Sequence, residues 1–369
     1  MRKTYCSRAF NHIYSDAVGR YKLCCIANEN PDLAKYNIHN TSPFDYFLSD
    51  EMENIRNRML EGRRVAGCET CYEVEDAGYE SHRYIWKDTL YNDIEKHSIE
   101  VKLRMFGSAC NLSCYMCHPV NSTTRNKEIS KLKTNMFAEA KGPDFFLHDN
   151  EIFEVNADDI LKHIDLIERI LIIGGEPILM TPHWKFLDSI PDELKKNIIL
   201  EYQTNLTRLS HMKWDVRDYI PKFKDVLLHV SADHYGPRLN LIRYPIDYVV
   251  FEKNVEEMRS NINSINITAS MLNAYDLKDI EDYYTDKLSV NTRVASVVQR
   301  PRPLSIRNIR DKDRVREMLK TFDYVPEFVL AELNLPSEDG DYQMFEDYID
   351  ELDSLRGTNM RDVFLGVES

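Results

Sequence analysis

Val101-Lys-Leu-Arg-Met-Phe106 runs as a strand-like segment toward Cys110-Asn-Leu-Ser-Cys114-Tyr-Met-Cys117, and so delivers three closely spaced thiols to one end of a sheet. A thiolate is a soft, strong ligand for iron, and the C-x-x-C spacing lets two sulfurs and the intervening amides wrap one cluster edge. Three thiolates cannot complete a four-iron, four-sulfur cubane. A centre held this way keeps one iron open to a small molecule bearing an amine and a carboxylate. The competing reading is an incomplete zinc knuckle with His118 as fourth ligand, although no paired knuckle follows downstream.

Outward from this run the chain alternates. A polar helix is expected over Lys127 to Lys141 and an amphipathic one over Ala157 to Ile167. Strand Ile170 to Ile173, helix His183 to Ile190, strand Ile198 to Tyr202, helix Met212 to Ile220 and strand Val226 to Val230 follow. Helix Tyr248 to Asn261, strand Ile265 to Ala269, helix Asp276 to Asp286 and strand Thr292 to Val298 complete the series. Helix-strand alternation implies parallel pairing and an α/β fold. Six strands are fewer than a closed eight-stranded barrel needs, which predicts a partial (β/α)6 TIM-type barrel open to a large substrate. Loops after parallel strands share the carboxyl end, so the cysteine run, Gly174-Gly-Glu-Pro177, Asn205 and Ser231 are expected to face one site. From Arg302 the chain reads as a C-terminal helical extension, with helices at Lys312 to Thr321 and Tyr342 to Leu355 and with Pro326 and Pro336 punctuating the stretch between them.

The three-cysteine run resembles the C-x3-C-x2-C signature of radical S-adenosylmethionine (SAM) enzymes. Gly174-Gly175-Glu176-Pro177, closing the apolar Ile170 to Ile173, is similar to that family's second-strand motif. The resemblance implies a 4Fe-4S cluster on Cys110, Cys114 and Cys117 whose open iron takes the methionine end of SAM. It implies cofactor contacts from Gly174, Gly175, Glu176 and Pro177, and from Asn205 and Ser231, which on their own residues fit helix caps equally well. Met116 stands where the family often has an aromatic near adenine, and Tyr115 is the alternative. An electron passed to SAM would release a 5′-deoxyadenosyl radical that takes hydrogen from a substrate, a peptide or a small molecule, with flavodoxin or ferredoxin as the type of donor. Asp233 is the candidate general base and Tyr235 a barrel-top residue facing substrate, against the plainer reading of Tyr235 as a surface loop position.

A second resemblance lies ahead of the first. Cys6, Gly19 with Cys24 beyond it, and Cys68-Glu-Thr-Cys71 resemble a SPASM or twitch domain, placed before the barrel where the family usually has it after. This implies an auxiliary iron-sulfur cluster, of 4Fe-4S type, on Cys6, Cys24, Cys68 and Cys71, and a division into residues 1–98, 99–301 and 302–369. Four thiolates suit a structural zinc equally well, so the spacing leaves both metals open, and a protein whose cysteines only hold metal is the non-catalytic alternative. Cys25 is the spare, read by default as a small buried residue, with an alternative ligand to Cys24 or a reactive thiol as the other readings.

Composition bounds the partners. A net charge of −14, with acids gathered between Glu338 and Asp353, disfavours a nucleic-acid partner. No segment approaches the roughly 18 apolar residues a membrane helix needs, and no export signal opens the chain. A cytoplasmic location is expected, and there eight cysteines read as ligands and not disulfides.

Overall fold

The computed structural model describes residues 4–76, 78, 80–85, 98–134, 136–137, 150–324 and 326–361. The fold class is α/β of the partial TIM-barrel type, and the chain separates into two compact units. The first takes Met1–Ser108, Asp144–Tyr202 and Met212–Val226; the second takes Ala109–Pro143, Gln203–His211 and Leu227–Ser369.

In the first unit β3 (Ile99–Lys102), β4 (Ile167–Ile172) and β5 (Ile199–Thr204) pair in parallel, with Val101 opposite Ile170 and Ile170 opposite Leu200. The N-terminal region adds to the same sheet: β1 (His12–Ser15) runs parallel to β3, and β2 (Tyr21–Lys22) returns antiparallel to β1.

The helix Asp50–Leu60 forms because Ser49 caps it by accepting from Met52 N, and acids at 50, 51 and 53 favour its positive end. Met52, Ile55 and Met59 bury one face. Arg56 sits on that face too, donating to Ala9 O at 2.8 Å and Phe47 O at 2.5 Å, so its charge is satisfied by carbonyls.

The helix expected over Met212 to Ile220 is absent. A two-residue strand, Trp214–Asp215, and a tight turn, Val216–Asp218, replace it. Met212 takes a positive φ of 53°, which breaks helical backbone, and the Asp215 side chain accepts from Arg217 N to start the turn.

In the second unit β6 (Asp225–Ser231), β7 (Ile262–Ala269) and β8 (Thr292–Val297) are parallel, with Val230 opposite Ile265 and Val294 opposite Ile267. Their inward residues Val226, Leu228, Val230, Ile265 and Ile267 are fully buried, which explains the short apolar runs. Helices Tyr248–Glu257, Lys312–Leu319 and Asp341–Arg356 match expectation closely, whereas Glu327–Leu333 lies in the stretch read as punctuation. The polar helix expected from Lys127 is Thr123–Ile129, and residues 138–141 of that expectation lie outside the described residues. No helix among the described residues is long and apolar enough to cross a membrane.

His12 on β1 supplies a test of this packing. Burial holds its imidazole at a pKa of about 3, against the pull of Glu100 at 3.6 Å. The folded value lies below the unfolded one, so the unfolded chain binds the proton first, and stability is lost as pH falls from about 6.5 toward 3. Between pH 7 and pH 5 the loss from this group is roughly 2 kcal/mol. His12→Gln should flatten the fall in urea midpoint over that interval; an unchanged slope contradicts the assignment.

Candidate active site

The cysteine run lies in the second unit, just before the helix Thr123–Ile129. Cys114 is buried, while Cys110 and Cys117 are half-buried. The backbone on either side of Cys114 is tied on both faces. Ser113 N donates to Tyr244 O at 2.6 Å and Tyr115 N to Ile242 O at 3.0 Å. On the opposite face Ser113 O accepts from Arg356 Nη2 at 2.5 Å, and Tyr115 O from Tyr348 OH at 2.8 Å and Arg125 Nη2 at 3.2 Å. Loops are ordinarily the mobile part of such folds. This one is clamped.

The electrostatics of the loop are cationic. Arg125 and Arg356 share one acid, Glu128, at 2.5 and 2.7 Å, and Arg243 pairs with Asp233 at 2.7 Å. Burial pushes the Cys114 thiol up, and Arg243, Arg125 and Arg356 pull it back down. Three buried guanidinium nitrogens, Arg125 Nε, Arg243 Nε and Arg356 Nη1, have no hydrogen-bond partner. Unpartnered cationic donors beside soft ligands suit an anionic sulfide-bearing group, so the residues present fit an iron-sulfur cluster.

Asn205, expected to touch cofactor or to cap a helix, caps no helix among the described residues. Its Nδ2 donates to Asn111 Oδ1 at 3.1 Å and lies 3.9 Å from Cys110 Sγ, while its Oδ1 accepts from Thr207 N at 3.0 Å. It pins the turn after β5 to the cysteine run. Ser231 ends β6, but the following helix Gly236–Ile242 has Tyr235 as its cap residue, without a side-chain bond, so Ser231 is no cap. Met116 is half-buried. Tyr115 is wholly buried, with the Arg356 guanidinium 4.5 Å over its ring, which makes it an anchor of the loop. His118 Nδ1 accepts from Val120 N at 3.2 Å and caps the turn Pro119–Asn121.

Asp233 is fully buried. Its Oδ1 accepts from Thr268 N at 2.8 Å and its other oxygen faces Arg243 at 2.7 Å, so the carboxylate ties the loop after β6 to β7 and to the end of the helix Gly236–Ile242. Tyr235 is half-buried and stacks on Tyr283, with centroids 4.2 Å apart.

In the first unit, Gly174 follows β4 with φ +154°, and a Cβ there would come within 2.7 Å of Gly107 O and 2.9 Å of Met180 Cε. Only glycine fits that close approach. Glu176 is fully buried and accepts from Ile178 N at 3.3 Å, so it starts the turn Pro177–Leu179 and stiffens the motif.

The same unit holds a cavity lined by Cys6, Cys24, Cys68 and Cys71 together with Arg8 and Arg83. Gly19 shapes the approach to Cys24: its φ is +83°, and a Cβ would meet Asn37 Oδ1 at 2.8 Å. Cys68 precedes the helix Glu69–Asp76 and Cys71 lies within its first turn. Burial pushes all four thiols up, Cys24 to about 12. Ligation therefore has to displace protons, as it does wherever a thiolate binds metal. Arg83 donates to Tyr5 O at 2.8 Å and to Glu75 at 2.9 Å, which fixes a cation in the cavity wall. Four soft donors around one cavity with two guanidiniums fit an anionic cluster. Among the described residues no three Cys, His, Asp or Glu side chains close on a point at single-ion distance. Cys25 is exposed and is not a buried filler, which corrects that expectation.

Residues 105–286 match the family model described as the radical SAM superfamily. This match covers just under half of the chain, and a SAM-binding 4Fe-4S cluster is what that family implies. Among curated proteins none matches the chain. Similar solved structures include native anSMEcpe with bound AdoMet and the Kp18Cys peptide, at 16% identity and TM-score 0.39, with 70% of this chain and 62% of that one covered. Native anSMEcpe with bound AdoMet is 17% identical, at TM-score 0.39 and the same coverage. The chain thus spans about 62% of the length of these relatives.

Proposed function

We propose that this protein is a radical SAM enzyme that cleaves SAM reductively and abstracts hydrogen from a peptide, with a second, auxiliary iron-sulfur cluster on Cys6, Cys24, Cys68 and Cys71. The observation that carries the reading of the active centre is the clamped cysteine loop with its unpartnered guanidinium nitrogens. Cys110, Cys114 and Cys117 would hold the SAM-binding cluster, which when bound would supply the electron for reductive cleavage of SAM. Arg125, Arg243 and Arg356 offset the charge of such a cluster, and Tyr115 and Ser113 keep its loop fixed. By the family resemblance, Gly174, Gly175, Glu176 and Pro177 would be the contacts of the methionine moiety. The auxiliary reading rests on the four cysteines lining one cavity, and full thiolate ligation suits electron relay or stability better than substrate binding. The peptide rests on analogy with auxiliary-cluster enzymes. A ferredoxin- or flavodoxin-type donor and a reducing, cytoplasmic setting complete the proposal, in keeping with eight free cysteines.

Anaerobic reconstitution followed by iron, sulfide and zinc analysis tests both centres. Iron with sulfide at about two clusters per chain is expected, with SAM cleaved under dithionite. Cys68→Ala should remove roughly half of the iron and sulfide while SAM cleavage without substrate persists. Zinc without sulfide overturns the cluster reading. Deuterium passing from labelled candidate peptides into 5′-deoxyadenosine would identify the substrate class, and transfer from small molecules alone would overturn the peptide.

A further inference from the structure

The helix Asp341–Arg356 lies beyond the residues the radical SAM family model matches, yet it supplies much of what holds the cysteine loop. We propose that this helix is a strap that sets the geometry and charge of the loop, with Arg356 as its positioning residue and Tyr348 as its second anchor. The inference rests on the reading of Cys110, Cys114 and Cys117 as cluster ligands.

The contacts are specific. Arg356 is nearly fully buried, with 2% of its side chain exposed. It donates from Nη2 to Ser113 O at 2.5 Å, and from Nε and Nη2 to the two oxygens of Glu128, both at 2.7 Å. Its guanidinium also lies 4.5 Å over the rings of Tyr115 and Tyr244. Two turns earlier on the same helix, Tyr348 is wholly buried and gives its hydroxyl to Tyr115 O. Between them, Glu351 accepts from Lys133 N at 2.7 Å and from Thr134 N at 3.1 Å, fastening the segment after the loop. The carbonyls on both sides of Cys114 thus end on one helix, and neither can turn without breaking a buried bond.

Charge adds to geometry. Arg125 and Arg356 face a single carboxylate, Glu128, so this network keeps one net positive charge beside Cys114 and Cys117. A cation held close to an iron-sulfur centre favours its reduced, more negative state. Buried guanidinium networks of this kind are costly unless fully used, and Arg356 Nη1 still lacks a partner.

Arg356→Met, Arg356→Lys and Tyr348→Phe in the full chain test the strap. The Cys110→Ala/Cys114→Ala/Cys117→Ala variant marks how much iron belongs to the auxiliary centre. Two readouts apart from turnover are the rate at which an iron chelator strips the remaining iron, and the midpoint potential of the paramagnetic signal that responds to SAM. Arg356→Met should lose that iron about tenfold faster or more and titrate at lower potential. Arg356→Lys should restore the potential, because the charge returns. Tyr348→Phe should speed the loss while leaving the potential in place, and it keeps the volume of the ring if Arg356→Met fails to fold. Variants that match the parent in both readouts overturn the strap. A parent with no SAM-responsive signal overturns the cluster assignment itself, and the strap falls with it.

Discussion

Cys114→Ala should abolish reductive SAM cleavage, bringing 5′-deoxyadenosine formation down to the level seen without protein, while leaving the fold intact. The two halves of that expectation have separate physical grounds. Activity disappears because two thiolates cannot retain a cubane with an open iron. The fold survives because the loop does not depend on the sulfur for its shape. Ser113 and Tyr115 hold it through four backbone groups, reaching Tyr244, Ile242, Arg356 and Tyr348. Loss of one buried sulfur should cost about 1 kcal/mol. Circular dichroism and a thermal melt within a few degrees of the parent, together with loss of the SAM-responsive signal, would be the expected pair of results. A variant that cleaves SAM as fast as the parent would falsify the assignment of the open-iron site. A variant that unfolds would instead contradict the clamped loop.

Much of the fold was legible because parallel strands buried on both faces must read as unbroken apolar runs. Ile170 to Ile173 does, while Val226 to Val230 and Ile265 to Ala269 keep apolar residues at their buried alternate positions, and each lies on or against its observed strand. The failures have local causes. Met212 to Ile220 carries helix-compatible residues, but a positive φ at Met212 and the side-chain cap from Asp215 divert it into a strand and turn. Glu327–Leu333 sits between two prolines that look like breaks, although Pro326 is in fact the residue from which the helix starts. In the site, cysteine spacing shows itself in sequence because the ligands are local. Arg125, Glu128, Arg243 and Arg356 do not, since a charged residue looks solvated until its partner is known, and here Arg356 finds Ser113 across 243 positions. The contacts of Asp233 and Asn205 are equally invisible in the sequence: Asp233 reaches Thr268 N and Arg243, and Asn205 reaches Asn111 and Thr207.

Gly174→Ala is expected to be the most damaging single-methyl change in the chain. A β-carbon at that position meets Gly107 O at 2.7 Å and Met180 Cε at 2.9 Å. The methionine end can move, being the tip of a flexible side chain, but the carbonyl belongs to backbone and cannot yield without shifting the segment that leads into the cysteine run. The φ of +154° adds strain that an L-residue carries with difficulty. Together the steric and conformational costs come to about 2 to 5 kcal/mol, large against the total stability of an ordinary domain. Gly175 has no positive φ and does not share that backbone penalty, so Gly175→Ala should melt closer to the parent. Urea midpoints of the two variants, measured on protein without iron, isolate the folding effect from any loss of cofactor. In reconstituted protein Gly174→Ala should also lose SAM cleavage by about a hundredfold, since a displacement on the order of 1 Å is enough to misplace a reacting centre. Equal midpoints for the two alanine variants would mean that the close approach of Gly107 to Gly174 does not constrain this turn.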